Sequence, residues 1–134
     1  LKFDIDKNIE YLGSKNLLSQ VLLNILSNAK DALKTNDAGN RVVRLSLSKI
    51  DNKYICLKIK DNAGGIPENI MNKIFESYFT TKDDSNGTGI GLYMSVNILQ
   101  KHFQGFLFFQ NEFDEEDGLG ACFVIKIPIR HSDI

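Results

Sequence analysis

Two asparagines, Asn24 and Asn28, stand four residues apart, which puts them on the same side of a helix at ~100° per residue. Asn28 lies at the edge of an apolar stripe, next to Val21, with Leu17 on the same flank. An amide oxygen in such a place can ligate a hard cation such as Mg²⁺, which takes oxygen donors and keeps several waters. Taken alone, the pair reads more simply as two surface amides. A second stretch, Asp61-Asn62-Ala63-Gly64-Gly65-Ile66-Pro67, directly follows a strand-like segment. A carboxylate there, beside glycines that admit a ligand to the backbone, can accept a hydrogen bond from an exocyclic amine. That would favour adenine over guanine, which carries a carbonyl at the corresponding ring position. An ordinary turn using glycine for positive φ is the plainer alternative. Third, Gly87-Thr88-Gly89-Ile90-Gly91-Leu92 opens a helix, where free N–H groups and the helix dipole suit phosphate. No Lys-Ser/Thr follows at Walker A spacing, and the glycines do not match the dinucleotide fingerprint. A glycine-rich helix cap remains equally open.

The elements that would hold these residues follow from periodicity. Lys2–Ile5 and Ile9–Leu12 read as short strands. Ser14 is a suitable N-cap for a helix to about Lys34, with Leu18, Val21, Leu22, Ile25, Leu26, Ala29, Ala32 and Leu33 as its apolar stripe. Arg41–Lys49 and Lys53–Lys60 alternate and are joined by Asp51-Asn52, the pattern of a hairpin. A short helix is expected over Glu68–Phe75, a polar loop over Tyr78–Thr88, and an amphipathic helix from about Gly89 to Phe103. Phe106–Gln110 and Ala121–Ile129 read as strands around an acidic turn at Asp114–Gly118. The sum is an α+β two-layer sandwich: a mixed, mostly antiparallel sheet with helices on one face.

Taken together and in order, these stretches resemble the ATP-binding catalytic domain of sensor histidine kinases, in the superfamily shared with gyrase, the heat-shock ATPase chaperone and the mismatch-repair ATPases. Leu22–Ala29 resembles the N box of that family, Asp61–Pro67 its first glycine box, and Ile74–Lys82 the phenylalanine-containing box before the ATP lid. Gly87–Leu92 is similar to the second glycine box, and Gly120–Phe123 to the last glycine-containing strand. The resemblance implies the Bergerat-type ATP-binding fold, with ATP and Mg²⁺ as ligands. Asn28 would then coordinate the metal, with Asn24 on the triphosphate side. Asp61 would bind the adenine amine, with Gly65 and Ile66 beside the base. Gly87, Thr88, Gly89, Gly91 and Leu92 would form the phosphate-facing backbone of lid and helix start, and Lys82 would reach phosphate from the lid. Phe75 and Phe79 would anchor that lid.

Two departures from the family pattern stand out. Ala63 replaces the first glycine of the usual Asp-x-Gly-x-Gly, so either it has ordinary φ or Gly64 absorbs the turn. Asp31 stands where many members carry a basic residue. That local sequence and the short lid resemble a nitrogen-regulator-like subgroup. Related ATPases place a general-base Glu one turn before the metal-binding Asn. Here that residue is Asn24, which favours transfer to histidine over hydrolysis or serine phosphorylation. A stand-alone ATPase or serine kinase, and a nucleotide-free binding module, are the competing readings.

Composition limits the field. The chain has 134 residues, 16 Lys+Arg against 17 Asp+Glu, and two Cys. That length suits one domain over 1–134 without staples. The formal charge of −1 offers no general attraction to nucleic acid or to a membrane surface. No apolar run approaches the ~18 residues of a membrane span. Cys56 and Cys122 sit singly in apolar runs, and a reducing, cytoplasmic setting is expected over a disulfide. The start at Leu1 suggests a fragment of a longer protein. His102 near a helix end and His131 in the tail are poor phosphate acceptors. The expected partners are a histidine-bearing dimerisation domain of the same protein and a response-regulator receiver domain.

Overall fold

A computed structural model describes residues 2–5, 14–35, 41–70 and 91–129. The expected strand at Ile9–Leu12, most of the Glu68–Phe75 helix, the Tyr78–Thr88 loop, His131 and Lys82, Gly87, Thr88 and Gly89 lie outside these residues.

Strand β1 (Lys2–Ile5) precedes helix α1 (Lys15–Thr35), then come β2 (Val43–Ile50), β3 (Tyr54–Asp61), a 3₁₀ turn at Glu68–Ile70, α2 (Gly91–Phe103), β4 (Phe106–Asp114) and β5 (Gly118–Pro128). The sheet order is β1-β2-β3-β5-β4, with β1 parallel to β2 and every other neighbour antiparallel. This is the α+β sandwich expected from the periodicity.

Local chemistry sets the ends of the elements. Ser14 caps α1, its Oγ accepting from Leu17 N–H at 3.3 Å. The β2–β3 turn closes with Lys53 N–H on Ile50 O at 2.9 Å, and Asp51 and Asn52 take φ of 53° and 56°. Asn and Asp tolerate that left-handed region better than other side chains. The acidic turn is tighter than its sequence suggests, because the β4–β5 ladder runs to Asp114↔Gly118. Only Glu115, Glu116 and Asp117 are left to make the turn. Across it, Arg44 on β2 reaches Asp117 at 2.9 Å and Glu116 at 3.4 Å.

Alternation divides the sheet. Leu45, Ile59, Phe123, Ile125, Ile127 and Leu107 pack against Val21 and Ile25 of α1 and Leu99 and Phe103 of α2. The other face carries a smaller buried cluster of Cys56, Cys122 and Val124. Both thiols are free. Cys56 pairs with Lys126 and Cys122 with Lys60, so they stand four residues apart along the ladder. That is ~13 Å at strand rise, beyond disulfide reach.

Candidate nucleotide-binding site

The described site residues form two groups, one at the end of β3 and one where α1 meets the start of α2. Asp61 is the last residue of β3 and shares the helix-side face with Ile59, which leaves it 3% exposed. Its Oδ1 accepts from Ala63 N–H at 3.0 Å and from Ala121 N–H at 3.2 Å. Burial pushes its pKa up, against the pull of those two N–H groups and of Lys60. Both bonds converge on Oδ1. Oδ2 takes part in neither bond.

The loop after Asp61 resolves the question raised by Ala63. Gly64 and Gly65 carry φ of 96° and 88°, and Ala63 is absent from the positive-φ positions. The glycines therefore absorb the turn and the alanine keeps ordinary backbone. Gly64 N–H bonds to Leu119 O at 3.0 Å, and Asn62 Oδ1 accepts from Val42 N–H at 2.9 Å. At Gly65 a Cβ would lie 2.9 Å from Asn111 Oδ1, so glycine is required by close approach as well as by φ. Ile66 is held on both sides of its peptide. Its N–H donates to Asn111 Oδ1 at 2.8 Å and its carbonyl accepts from Asn111 Nδ2 at 3.0 Å.

Gly120 explains why the β3 end can sit so deep. A Cβ at Gly120 would fall 1.6 Å from Asp61 O and 3.0 Å from the Asn62 Cα. The glycine expected from the last glycine-containing strand thus lets the backbone at the end of β3 lie close against its neighbour β5.

On the helices, Asn24 faces the start of α2. Its Nδ2 donates to Gly91 O and to Ser95 Oγ, both at 3.2 Å, and Ser95 Oγ donates to Gly91 O at 2.9 Å. The amide nitrogen is thus occupied in joining α1 to α2, while Oδ1 takes part in neither bond. Asn28, one turn on, is partly buried. Gly91 and Leu92 form the first turn of α2, and Leu92 packs on the edge of the core. Asn24 and Gly91 are therefore brought together, as are Asp61, Gly65 and Ile66.

Sequence reasoning missed two residues. Ser95 is fully buried, and its signal was a hydroxyl on the line Leu92, Leu99. Asn111 sits in the middle of a strand, where Asn is disfavoured, and that misfit was its signal. Among the described residues no group of three or more His, Cys, Asp or Glu could hold a metal.

Residues 13–131 match the family described as histidine kinase-, DNA gyrase B-, and HSP90-like ATPase. The chain belongs to that family. Its relatives include the two-component sensor PprA of Pseudomonas aeruginosa, 37% identical over 119 residues, covering 87% of this chain and 12% of PprA. The signal transduction histidine-protein kinase AtoS of Escherichia coli is 36% identical over 127 residues, covering 94% of this chain and 19% of AtoS. The chain thus spans less than a fifth of the length of either relative. Among solved structures, the mycobacterial sensor histidine kinase MprB superposes with a TM-score of 0.74 at 26% identity, covering 96% of this chain and 82% of that one. Full-length ShkA in complex with AMPPNP gives 0.70 at 26% identity, covering 96% of this chain and 25% of that one. The domain is an ATP-binding domain of the histidine-kinase type. No described helix is long and apolar enough to cross a membrane.

Proposed function

We propose that this domain binds Mg-ATP and presents its γ-phosphoryl group to a histidine on a separate dimerisation domain of the same protein, from which a response-regulator receiver domain is phosphorylated. The observation that carries the reading is the buried Asp61 carboxylate, with Oδ1 committed to two backbone N–H groups; in this reading Oδ2, which takes part in neither bond, accepts from the adenine amine. The likeness to a structure solved with AMPPNP supports a nucleotide in this place.

In this reading Asp61, Gly65 and Ile66 receive the base. Asn28 would hold Mg²⁺ through its amide oxygen, a hard donor suited to that cation. Bound there, Mg²⁺ supplies neutralisation of phosphate charge. Gly87, Thr88, Gly89, Gly91 and Leu92 give backbone N–H groups to the phosphates at the start of α2, and Lys82 adds a charge from the lid. Asn24 fixes α1 to that helix start and, unlike a glutamate, takes no proton from water. That favours histidine as acceptor, because a neutral imidazole nitrogen needs no base and the domain has only to position and stabilise. The domain itself works in the cytoplasm.

The test is transfer. The chain is incubated with labelled ATP, Mg²⁺ and a separately made acceptor-helix domain, which becomes labelled, and Asn28→Ala abolishes the label. Labelling that persists in Asn28→Ala removes the metal assignment.

A further inference from the structure

We propose that Asn111 is the positioning residue that sets the base-binding loop, a role that rests on the ATP reading above. It stands on β4 opposite Ala121 of β5, and Ala121 donates its N–H to Asp61 Oδ1. Asp61 and Asn111 therefore anchor the loop from either side of the same β5 residue. Asp61 holds the loop's beginning through Ala63 N–H, and Asn111 holds its end through both polar groups of Ile66.

Between these anchors lie Gly64 and Gly65, which have no side chains with which to hold themselves, although Gly64 is tied through its N–H to Leu119 O. The carboxamide suits the task because it is the one short side-chain group with a donor and an acceptor side by side, matching a peptide N–H and C=O. Its Oδ1 and Nδ2 lie 2.9 and 3.3 Å from where a Gly65 Cβ would be, so it also limits how far Gly65 can sink toward the sheet. Asn111 thereby determines the height at which the Gly65 backbone meets the base and the distance from base to Asp61 Oδ2. It touches neither phosphate nor metal in this scheme.

Calorimetry on the chain tests this with ATP, ADP, inosine triphosphate and inorganic tripolyphosphate. Asn111→Ala removes two neutral hydrogen bonds, and the expected result is a Kd raised about tenfold. The factor should be the same for ATP and ADP, smaller for inosine triphosphate, and absent for tripolyphosphate. The nucleotide-free melting temperature reports folding separately. If the alanine variant does not fold, Asn111→Asp retains the shape and the bond from Ile66 N–H, and it should show the same ordering of ligands. A residue that only stabilised the fold would weaken ATP and inosine triphosphate alike, and that outcome overturns the proposal. So does an unchanged Kd for ATP. A wild-type chain that binds no ATP would instead overturn the ATP reading, and this proposal with it.

Discussion

Replacing Asp61 by Asn alters one atom and tests the whole account of the base end. In the wild type, Oδ1 accepts from Ala63 and Ala121 N–H at 3.0 and 3.2 Å. The amide oxygen of Asn must take that place, since the opposite orientation would set an NH₂ group against two donors. Nδ2 then stands where Oδ2 was and meets an adenine amine donor to donor. The loss is that of a hydrogen bond to a charged group, about 1.5–3 kcal/mol, or about 10- to 150-fold in Kd. Inosine triphosphate offers a carbonyl at that ring position, so its affinity should rise and the preference for ATP should narrow or invert. Calorimetry with both nucleotides measures this directly. Stability should move differently. Burial raises the Asp61 pKa, so the folded state holds this proton more tightly than the unfolded one. The carboxyl's contribution is complete below its unfolded pKa and is lost as pH rises through the folded value. Asn carries no such penalty, so the nucleotide-free variant should gain melting temperature relative to wild type as pH rises from the unfolded carboxylate pKa through the raised folded value, and the gain should level off above it. An unchanged preference for ATP over inosine triphosphate would refute the assignment of Oδ2 to the amine. A variant that loses ATP binding together with its folded circular dichroism would refute the claim that Asn preserves the two backbone bonds.

Three further outcomes follow from local geometry. Gly120→Ala places a methyl 1.6 Å from Asp61 O, a backbone atom that the β3–β5 pairing holds in place; circular dichroism should show loss of the native fold or destabilisation of at least about 3 kcal/mol. Asn24→Glu removes the donor that holds Gly91 O and Ser95 Oγ and sets a carboxylate against a carbonyl. It should melt lower and gain no ATP hydrolysis; phosphate release at an unchanged melting temperature would count against the joint. Cys122 is buried and its thiol is pushed up to about 12, chiefly by desolvation and then by Glu112, so at pH 8 about one in ten thousand is thiolate. A thiol reagent should find neither cysteine in the native chain and both after denaturation.

The elements were legible because their burial is periodic. Leu45↔Ile59 and Leu47↔Leu57 pair across β2 and β3 as the alternation required, and Val21, Ile25, Ala29 and Leu33 are the buried members of the α1 stripe. Asp61 and its glycines read alone as a strand-end turn, and it was the order of motifs shared with the family that marked them as a site; the turn itself is there, with Gly64 and Gly65 at positive φ. Asn111 was hidden, since its partner lies 45 positions earlier in the chain and nothing in β4 names Ile66. Ser95 was hidden for the same reason: its hydroxyl is satisfied partly by Asn24, 71 positions away. The length of β5 was also understated. Gly118, Leu119 and Gly120 look like turn residues, but ladder pairing with Glu112–Asp114 carries them into the strand.

The near-zero net charge follows from where recognition is placed. In the proposed reading the specificity group at the base end is one carboxylate fixed by backbone N–H groups, and the loop beside it is fixed by Asn111; neither needs a cation. At the helix end, the Gly91 carbonyl takes two side-chain donors, and this ties the first turn of α2 to α1 at the residue one turn before Asn28. Any displacement of the α2 N-terminus is therefore shared with the helix that carries Asn28. In the proposed reading one joint would set both the phosphate-facing backbone and the metal-facing amide, and the dipole of α2 would supply positive potential that lysines would otherwise have to provide. One side-chain amide and one hydroxyl, neither of them charged, hold that geometry on a single carbonyl. A chain with 16 basic and 17 acidic residues can thus receive a triphosphate without a basic patch.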